Sequence, residues 1–257
     1  MVKLGQNFLT DTNLLDAIVR DAELSAEDVV LEVGAGEGPL TSRLAATASY
    51  VHTIEIDRGL EPALEEVAAL PDVELHWGDA LRLDLAAFDP PPTAVVSNLP
   101  YAIATPLIIR TIEELPSVRR WTVMVQREIA ERLRAAPGGR EYGAPSVLVQ
   151  LACEMKMLRS VPPSVFRPRP RVGSSVIALR RTGPGANEDT RSLVRAAFAH
   201  RRKTLVRSLE HVRPGTMGRT RTLLPEYGIR LQARAEDISP PQFAAIAHGL
   251  PWRACGS

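Results

Sequence analysis

The alternation of short apolar runs with helix-like stretches is the feature that most constrains the fold of this chain. Val29–Val33 is rich in β-branched residues and precedes a glycine turn, and similar runs follow at residues 50–57 and Val73–Trp77. Strands that alternate with helices predict βαβ units with right-handed crossovers. The sequence therefore predicts an α/β fold, in which a mostly parallel sheet carries helices on both faces.

This alternation continues to about residue 181 and then stops. Further strands are predicted at residues 93–97, 121–126, 155–158 and 176–179, and helices at residues 40–48, 59–70, 106–114 and 127–135. After the stretch Gly183-Pro184-Gly185 only helical segments follow, at residues 190–211 and 240–248. Because glycine and proline mark loops, the sequence predicts a domain boundary there, with one domain over residues 1–182 and a helical one over residues 183–257.

Composition excludes several classes of protein. Apolar residues make up 45% and charged residues 24% of the chain, as in soluble globular proteins. The apolar stretches are too short to cross a bilayer, and the N-terminus lacks the apolar region of a secretory signal. Cys153 and Cys255 form no disulfide framework, which favours a reducing, cytoplasmic setting. No metal site is predicted, because the five histidines form no cluster with the spacing of metal ligands along the sequence. They are His52, His76, His200, His211 and His248.

Charge is distributed unevenly along the chain. The net charge of +1 argues against a general polyanion binder, but residues 183–257 hold 12 Lys or Arg against six Asp or Glu. The preceding residues hold 19 basic and 24 acidic side chains. A basic tail on an acidic body indicates that the C-terminal part faces phosphate. Its candidate RNA contacts are Arg201, Arg202, Lys203 and Arg207, with a solvated helix face as the alternative.

The tetrapeptide Asn98-Leu99-Pro100-Tyr101 follows a buried-strand pattern. Pro100 cannot donate to a strand ladder and restricts Leu99 to an extended conformation, so the turn is stiff. An amide oxygen and a nearby backbone carbonyl can accept the two hydrogens of a base amine, while an aromatic ring stacks on the base. Ordinary turn chemistry is the alternative explanation for an Asn-x-Pro sequence.

A glycine-rich turn follows the first strong strand. Gly34, Gly36 and Gly38 lie between a strand and a helix, where missing Cβ atoms let a ligand approach the backbone. The spacing is not G-x-G-x-x-G, and Glu32 is atypical of a dinucleotide pyrophosphate site. Glu55 lies 21 residues after Gly34, at the spacing where a carboxylate meets ribose hydroxyls.

Asp79 follows the third strand, where it could accept a hydrogen bond from an adenine amino group. Taken singly, the glycine turn could be purely steric and Asp79 could be an ordinary turn residue. Asp57 also lies at the end of the second strand and could be a helix cap instead. Together the four motifs follow four successive strands, at the sheet edge where open α/β proteins bind ligands. They predict one site for a nucleoside-like ligand and an amine substrate.

With these motifs in order, the chain resembles the KsgA/Erm-type rRNA adenine N6-dimethyltransferase family and is more similar to its small-subunit branch, KsgA. Residues 4–9 resemble the family's N-terminal "GQNFL" segment, and residues 166–172 resemble its "F-x-P-x-P-x-V" loop. The resemblance covers roughly residues 3–181. It departs from the family at Ala102, where Asn is usual, and at Gly173, where an acidic residue is frequent.

The resemblance implies a class I S-adenosylmethionine-dependent methyltransferase fold with a basic, helical C-terminal RNA-binding domain. It implies dimethylation of two adjacent adenosines near the 3′ end of small-subunit rRNA, a role in subunit maturation, and a monomer. Asn98 and Leu99 would accept the hydrogens of the target amine, and Tyr101 and Phe166 would sandwich the base. The donor-binding residues would be Gln6, Asn7, Leu9, Gly34, Gly36, Gly38, Glu55, Ile56, Asp79, Ala80 and Asn98.

Other functions remain open from the sequence. An Erm-type enzyme that dimethylates large-subunit rRNA and confers macrolide resistance would use the same donor site. The chain could also act mainly as an assembly factor that binds the ribosomal subunit. A DNA adenine methyltransferase is less expected, because Leu99 and not proline precedes Pro100. A nicotinamide-dependent enzyme would need a second nucleotide-binding half, which the chain after Ser97 does not offer.

Overall fold

The computed structural model describes residues 6–250 and residue 252. Its strands are β1 (Phe8–Leu9), β2 (Val29–Val33), β3 (Tyr50–Glu55), β4 (Val73–Trp77), β5 (Ala94–Asn98), β6 (Arg120–Gln126), β7 (Cys153–Val161), β8 (Phe166–Arg167) and β9 (Ser174–Arg181). Its α-helices are α1 (Thr12–Asp21), α2 (Pro39–Ala45), α3 (Glu61–Ala68), α4 (Ala104–Glu114), α5 (Arg127–Arg134), α6 (Ala144–Ala152), α7 (Glu188–Phe198), α8 (Leu205–Val212), α9 (Met217–Glu226) and α10 (Pro240–Gly249). None of the described helices is long and apolar enough to cross a membrane.

Seven strands form one sheet in the order β4-β3-β2-β5-β6-β9-β7. The pairs β4–β3, β3–β2, β2–β5 and β5–β6 are parallel, and β9 runs antiparallel to β6. This arrangement confirms the predicted α/β class with a mostly parallel sheet. All five residues of β2 are buried, as expected for a central strand covered on both faces.

The strand order places a topological switch point between β2 and β5. The chain adds β3 and β4 on one side of β2 and then crosses back to add β5 and β6 on the other. In open α/β sheets such a crossing leaves a crevice outside the carboxyl ends of the strands. The four predicted ligand motifs all follow strands that end at this edge.

Several predicted elements agree with the structure, and some do not. β2 and β4 have the predicted bounds. The expected helix over residues 190–211 is wrong, because it is two helices, α7 and α8. Thr204 adopts an extended conformation and its side chain accepts a hydrogen bond from the Arg207 amide, so α8 begins anew there. Helices α1, α6 and α9 were not predicted.

The chain forms two compact units, and their boundary differs from the prediction. One unit runs to Ala130 and resumes over Glu154–Arg181, and the other combines Glu131–Cys153 with the chain from Thr182 onward. The assignment of residues 131–153 to the first domain is therefore wrong. Within the second unit α6 packs against α7 and α10, and the Tyr142 hydroxyl donates to the Ile238 carbonyl at 2.8 Å. These apolar and polar contacts hold residues 131–153 in the second unit.

Candidate active site

A cavity of about 450 Å³ lies at the carboxyl ends of β2, β3, β4 and β5. This volume is in the range of pockets that bury small-molecule ligands. The loops that follow the four strands form its walls, together with Asn7, Phe8 and Leu9 of the N-terminal segment. The predicted site residues that line it are Gln6, Asn7, Leu9, Gly34, Gly36, Glu55, Ile56, Asp79, Ala80, Asn98, Leu99 and Tyr101.

The glycine turn after β2 comes close to two other segments. Gly34 has φ +86° and a Cβ there would lie 3.3 Å from Cγ of Pro100, while a Cβ on Gly36, at φ +60°, would lie 3.3 Å from the Phe8 ring. Both positions favour glycine for backbone conformation and for space. Gly38 does not line the cavity. A Cβ there would lie 3.0 Å from Val67, so Gly38 serves the packing of α2 and not the predicted ligand contact.

Four carboxylate residues line the cavity, of which Glu32, Glu55 and Asp79 are called here the acidic wall; the fourth, Glu37, belongs to the glycine turn. Glu55 ends β3 and is 4% exposed. Its Oε2 accepts from the Gly36 amide at 3.0 Å, and its Oε1 accepts from the amides of Ile56 and Asp57 at 2.9 Å each. These bonds fix the carboxylate at the cavity, and its remaining acceptor capacity suits a ligand hydroxyl.

Asp79 is held by its own turn in a similar way. Its Oδ1 accepts from the Leu81 amide at 2.9 Å. Arg110 of α4 donates to the carbonyls of Ala80 and Leu83 at 2.6 and 2.7 Å, which fixes the loop that carries Asp79. No motif in the sequence indicates this role for Arg110. Ile56 lies in the same cavity and is 51% exposed, so its side chain offers an apolar face for a planar ring.

Glu32 lies beneath the glycine turn and is 1% exposed. Its Oε2 accepts hydrogen bonds from the hydroxyls of Thr41 at 2.6 Å and Thr53 at 2.7 Å. Burial raises the pKa of Glu32 to about 7, because the buried carboxylate loses its hydration. The hydrogen bonds from the two hydroxyls favour the charged form and offset only part of this rise, and the charge of Glu55 adds to it. The acidic wall as a whole favours a cationic ligand.

Asn98, Leu99 and Tyr101 also line the cavity and are called here the amide wall. The Asn98 Nδ2 donates to the Asn7 carbonyl at 3.4 Å, which orients the amide and leaves Oδ1 as its acceptor. The hydroxyl of Tyr101 is hydrogen-bonded to Ser174 Oγ at 2.7 Å. The structure therefore brings the amide oxygen and the aromatic ring to the same cavity as the acidic wall.

Phe166 does not take the predicted place beside the base. Its ring is 5% exposed and belongs to the hydrophobic core together with Leu9 and Leu15, and it does not line the cavity. The antiparallel pairing of β8 with β1 sets Phe166 opposite Leu9 and accounts for this burial. The predicted sandwich of the target base by Tyr101 and Phe166 is therefore not formed in this structure.

The two departures from the family pattern have different surroundings. Ala102 lines the cavity and adds no polar group there. The Gly173 carbonyl accepts from the Arg127 amide at 3.0 Å, and a Cβ on Gly173 would lie 3.4 Å from a guanidinium nitrogen of Arg127. A side chain at position 173 would thus stand beside a cation.

The predicted RNA-binding cluster lies in the second unit, in the turn between α7 and α8. Arg202, Lys203 and Arg207 are exposed. Arg201 is also exposed, but its guanidinium donates to the carbonyls of Arg140 and Tyr142 at 3.2 and 3.0 Å. Arg201 therefore holds a neighbouring loop of its own unit. Because these residues lie in a turn and at the start of α8, they do not share a single helix face.

Two of the histidines that spacing along the chain leaves ungrouped, His52 and His76, lie together in the folded structure. Their ring nitrogens lie 3.0 Å apart, and the Glu74 carboxylate is close to both. Parallel pairing of β3 and β4 places His52 opposite Glu74 in register. The contact depends on the pairing of two strands, and the spacing along the chain contains no sign of it.

The strand order, and the cavity at its switch point, define the class: this is a class I S-adenosylmethionine-dependent methyltransferase. The donor fits the residues present, because the acidic wall suits a sulfonium cation and the glycine turn leaves room for it. A comparison with protein-family models goes further. The model described as "Ribosomal RNA adenine dimethylase" matches residues 2–250. The chain therefore belongs to the ribosomal RNA adenine dimethylase family.

Known relatives resemble the chain over nearly its whole length. It is 44% identical to "Ribosomal RNA small subunit methyltransferase A" of Rubrobacter xylanophilus, over 95% of this chain and 92% of the relative. The protein of the same name from Pelotomaculum thermopropionicum is 43% identical, over 95% and 89% of the two chains. Identity at this level, together with the family match, shows that the chain is an enzyme of this family.

Two solved structures resemble it along most of the chain. A dimethyladenosine transferase from Plasmodium falciparum superimposes with a TM-score of 0.76 at 24% identity, over 93% of this chain and 95% of that one. The 23S rRNA methyltransferase ErmE gives a TM-score of 0.67 at 28% identity, over 95% of this chain and all of that one. The first similarity concerns the fold alone.

Proposed function

We propose that this enzyme transfers methyl groups from S-adenosylmethionine to the exocyclic amines of two adjacent adenosines near the 3′ end of small-subunit rRNA. Family membership supports adenine dimethylation of rRNA, and the names of the 44% and 43% identical relatives support the small subunit. The observation that carries the proposal is the shared cavity. Asn98 and Tyr101 line the same space as Glu55 and Asp79, so a target amine and a donor would meet there.

The acidic wall would hold the donor. Glu55 would accept hydrogen bonds from the ribose hydroxyls, Asp79 would accept one from the adenine amine, and Ile56 would cover the adenine face. Gly34 would leave space beside the backbone for the methionine part. S-adenosylmethionine, when bound, supplies an electrophilic methyl group on a sulfonium centre. Because these side chains are already fixed by backbone hydrogen bonds, little reorganisation accompanies binding.

The amide wall would hold the target base. The exocyclic nitrogen of adenine is a poor nucleophile, since its lone pair is delocalised into the ring. Asn98 Oδ1 and the Leu99 carbonyl would accept its two hydrogens and favour a pyramidal nitrogen with a localised lone pair. No strong base is needed, because the amine becomes acidic only once methylated. Catalysis then consists of positioning and electrostatic stabilisation.

The base must leave its stack to reach the cavity, as in other enzymes that modify bases. Stacking on Tyr101 would contribute about 1–3 kcal/mol to its binding.

Arg202, Lys203 and Arg207 would bind phosphates of the rRNA, because they are exposed cations in the basic part of the chain. The enzyme would act as a monomer in the cytoplasm on the small subunit or its precursor.

The test is mass spectrometry of rRNA from a strain that lacks the gene. We expect two adjacent dimethyladenosines near the 3′ end of small-subunit rRNA to be lost, and to return when the wild-type gene is restored. The Asn98→Ala gene should not restore them. Unchanged small-subunit rRNA in the deletion strain would contradict the proposal.

A second candidate is dimethylation of large-subunit rRNA, which the similarity to ErmE over that whole chain supports. It would use the same cavity and the same chemistry. The deletion strain separates the two candidates. If the enzyme acts on large-subunit rRNA, deletion of its gene would leave small-subunit rRNA methylation unchanged and would increase macrolide sensitivity.

A third role, as an assembly factor, would show as retention of the protein on immature small subunits without turnover of the methyl donor.

A further inference from the structure

His52, Glu74 and His76 bring three ligand atoms together on the β3–β4 side of the sheet, away from the residues that line the cavity. His52 Nδ1 lies 3.0 Å from His76 Nε2, and the Glu74 Oε2 lies 3.4 Å from the first and 3.6 Å from the second. A tetrahedral zinc ion with bonds of about 2.05 Å separates its ligands by about 3.3 Å. The three atoms therefore match one face of such a tetrahedron.

The hydrogen bonds around His52 leave the correct nitrogen facing this triangle. His52 Nε2 lies 2.8 Å from the Pro90 carbonyl oxygen. A carbonyl oxygen only accepts, so Nε2 carries the proton and Nδ1 of the neutral ring presents its lone pair. Histidines that bind metals show this pattern, in which the second ring nitrogen donates to a backbone carbonyl or a carboxylate.

Both imidazole rings are held in place by packing. The Phe88 ring stacks on His76, with centroids 4.1 Å apart, and on His52, with centroids 4.9 Å apart. His52 is fully buried and the His76 side chain is 18% exposed.

We propose that His52, Glu74 and His76 form a binding site for a divalent transition-metal ion of the zinc class. Two imidazoles and one carboxylate are ligands that zinc accepts, whereas calcium and magnesium prefer oxygen ligands. The Glu74 side chain is 48% exposed, so the ion can enter from solvent and the fourth position remains open to water. Among the described residues, this is the group of three potential ligands whose atoms lie within 4.8 Å of one another.

The ion would join an edge strand to the rest of the sheet. In the described sheet β4 is an outer strand and pairs with β3. His52 and His76 lie three residues before Glu55 and Asp79, so the ion would fix the two strands that carry the acidic wall. Because the ligands converge only in the folded chain, binding stabilises the native state.

The experiment titrates the chelator-treated, full-length protein with Zn²⁺ alone and follows heat and thermal unfolding. We expect one equivalent to bind with a dissociation constant in the micromolar range or below, and the unfolding midpoint to rise. Co²⁺ in place of Zn²⁺ should give the visible absorption of a tetrahedral site. His76→Gln and Glu74→Gln should each weaken binding by more than about 10-fold, because each removes a ligand and the loss of an outer-shell partner alone costs about 10–100-fold. Glu74 is half exposed, so its variant should fold normally.

The matched control is a second histidine pair, His200 and His211, whose ring centroids lie 4.4 Å apart. The double variant His200→Gln/His211→Gln should keep the one equivalent and its affinity. The proposal is overturned if no saturable Zn²⁺ binding occurs below about 1 mM, or if His76→Gln binds as tightly as the wild type. Either result would leave His52 and His76 as a hydrogen-bonded pair without a metal.

Discussion

The two walls of the cavity are held in different ways. On the acidic wall, Glu55 accepts from the amides of the next two residues and from that of Gly36, 19 positions earlier, and Asp79 accepts from an amide two residues further on. The hydroxyls that bond to Glu32 lie 9 and 21 positions away. On the amide wall, Asn98 donates to a residue 91 positions away and Tyr101 bonds to one 73 positions away. The carboxylates of the acidic wall are thus held by partners at most 21 positions away, whereas the amide wall depends on segments that are distant in the chain and meet only in the complete fold.

This comparison predicts that changes to the two walls separate donor binding from methyl transfer. Variants of the acidic wall should alter donor affinity or stability and leave the chemical step nearly intact. Variants of the amide wall should alter the rate or RNA recognition and leave donor affinity nearly intact.

The largest effect is expected for Asn98→Ala. Loss of the amide acceptor should lower the single-turnover rate by at least about 100-fold, because the target amine is no longer oriented. Rapid-quench measurements with excess enzyme test the rate, and calorimetry tests donor affinity, which should weaken much less. A near-normal rate would exclude the proposed role. An equal loss of donor affinity would assign Asn98 to the donor site and remove the contrast between the walls.

Glu32→Gln tests the buried part of the acidic wall. The folded-state pKa of Glu32 is about 7, above its usual 4.5 when unfolded, so its contribution to stability is present at low pH and is lost as the pH rises to 7. Relative to the Gln variant, the wild-type free energy of unfolding should fall by about 2.5 kcal/mol between pH 5 and pH 8. Urea denaturation of both proteins across this range measures it. A pH-independent difference would mean that Glu32 has an ordinary pKa.

Glu55→Gln should weaken donor binding by about 10-fold, because a charge-assisted hydrogen bond contributes about 1.5–3 kcal/mol. The rate at saturating donor should stay within about threefold of wild type. Asp57→Asn is the matched control: Asp57 accepts from the Gly59 amide and does not line the cavity, so donor affinity should not change. If both variants bind donor equally well, the role of Glu55 is wrong.

Ser174→Ala should have the smallest effect. It removes the partner of the Tyr101 hydroxyl, and a net hydrogen bond contributes about 1 kcal/mol, or about fivefold in kcat/KM for RNA. Tyr101→Phe should have the same effect, and the double variant should lose no more than either single one. Ser175→Ala, a buried neighbour on β9, serves as the control. Additive losses would show that the two hydroxyls act independently.

The positions of Glu55 and Asp79 at the cavity were largely predictable because their signals are local. β2 and β4 have their predicted bounds, and the acids at or just after the ends of β3 and β4 line the cavity. Parallel strands end at one edge of the sheet, so side chains that follow them must come together. Gly38 shows the limit of this argument, since a glycine in the same turn serves helix packing instead.

The surroundings of the amide wall were less predictable. Asn98, Leu99 and Tyr101 do line the cavity, but the burial of Phe166 depends on the β1–β8 pair, whose strands are about 158 residues apart in the chain. Arg201 likewise has partners in a loop 60 residues earlier. No sequence motif predicts the burial of Phe166 or the partners of Arg201, because each depends on which distant segments pack together in the fold.

The sequence by itself determined the α/β class, the order of the ligand motifs and the acids at the strand ends that line the cavity, because apolar periodicity, glycine turns and strand-end acids act within a few residues. Only the tertiary structure decided that Phe166 points into the core, that Ser174 holds Tyr101, and that His52 meets Glu74 and His76. Those contacts are set by strand register and pairing, which join residues far apart in the chain and therefore form only when the whole sheet assembles.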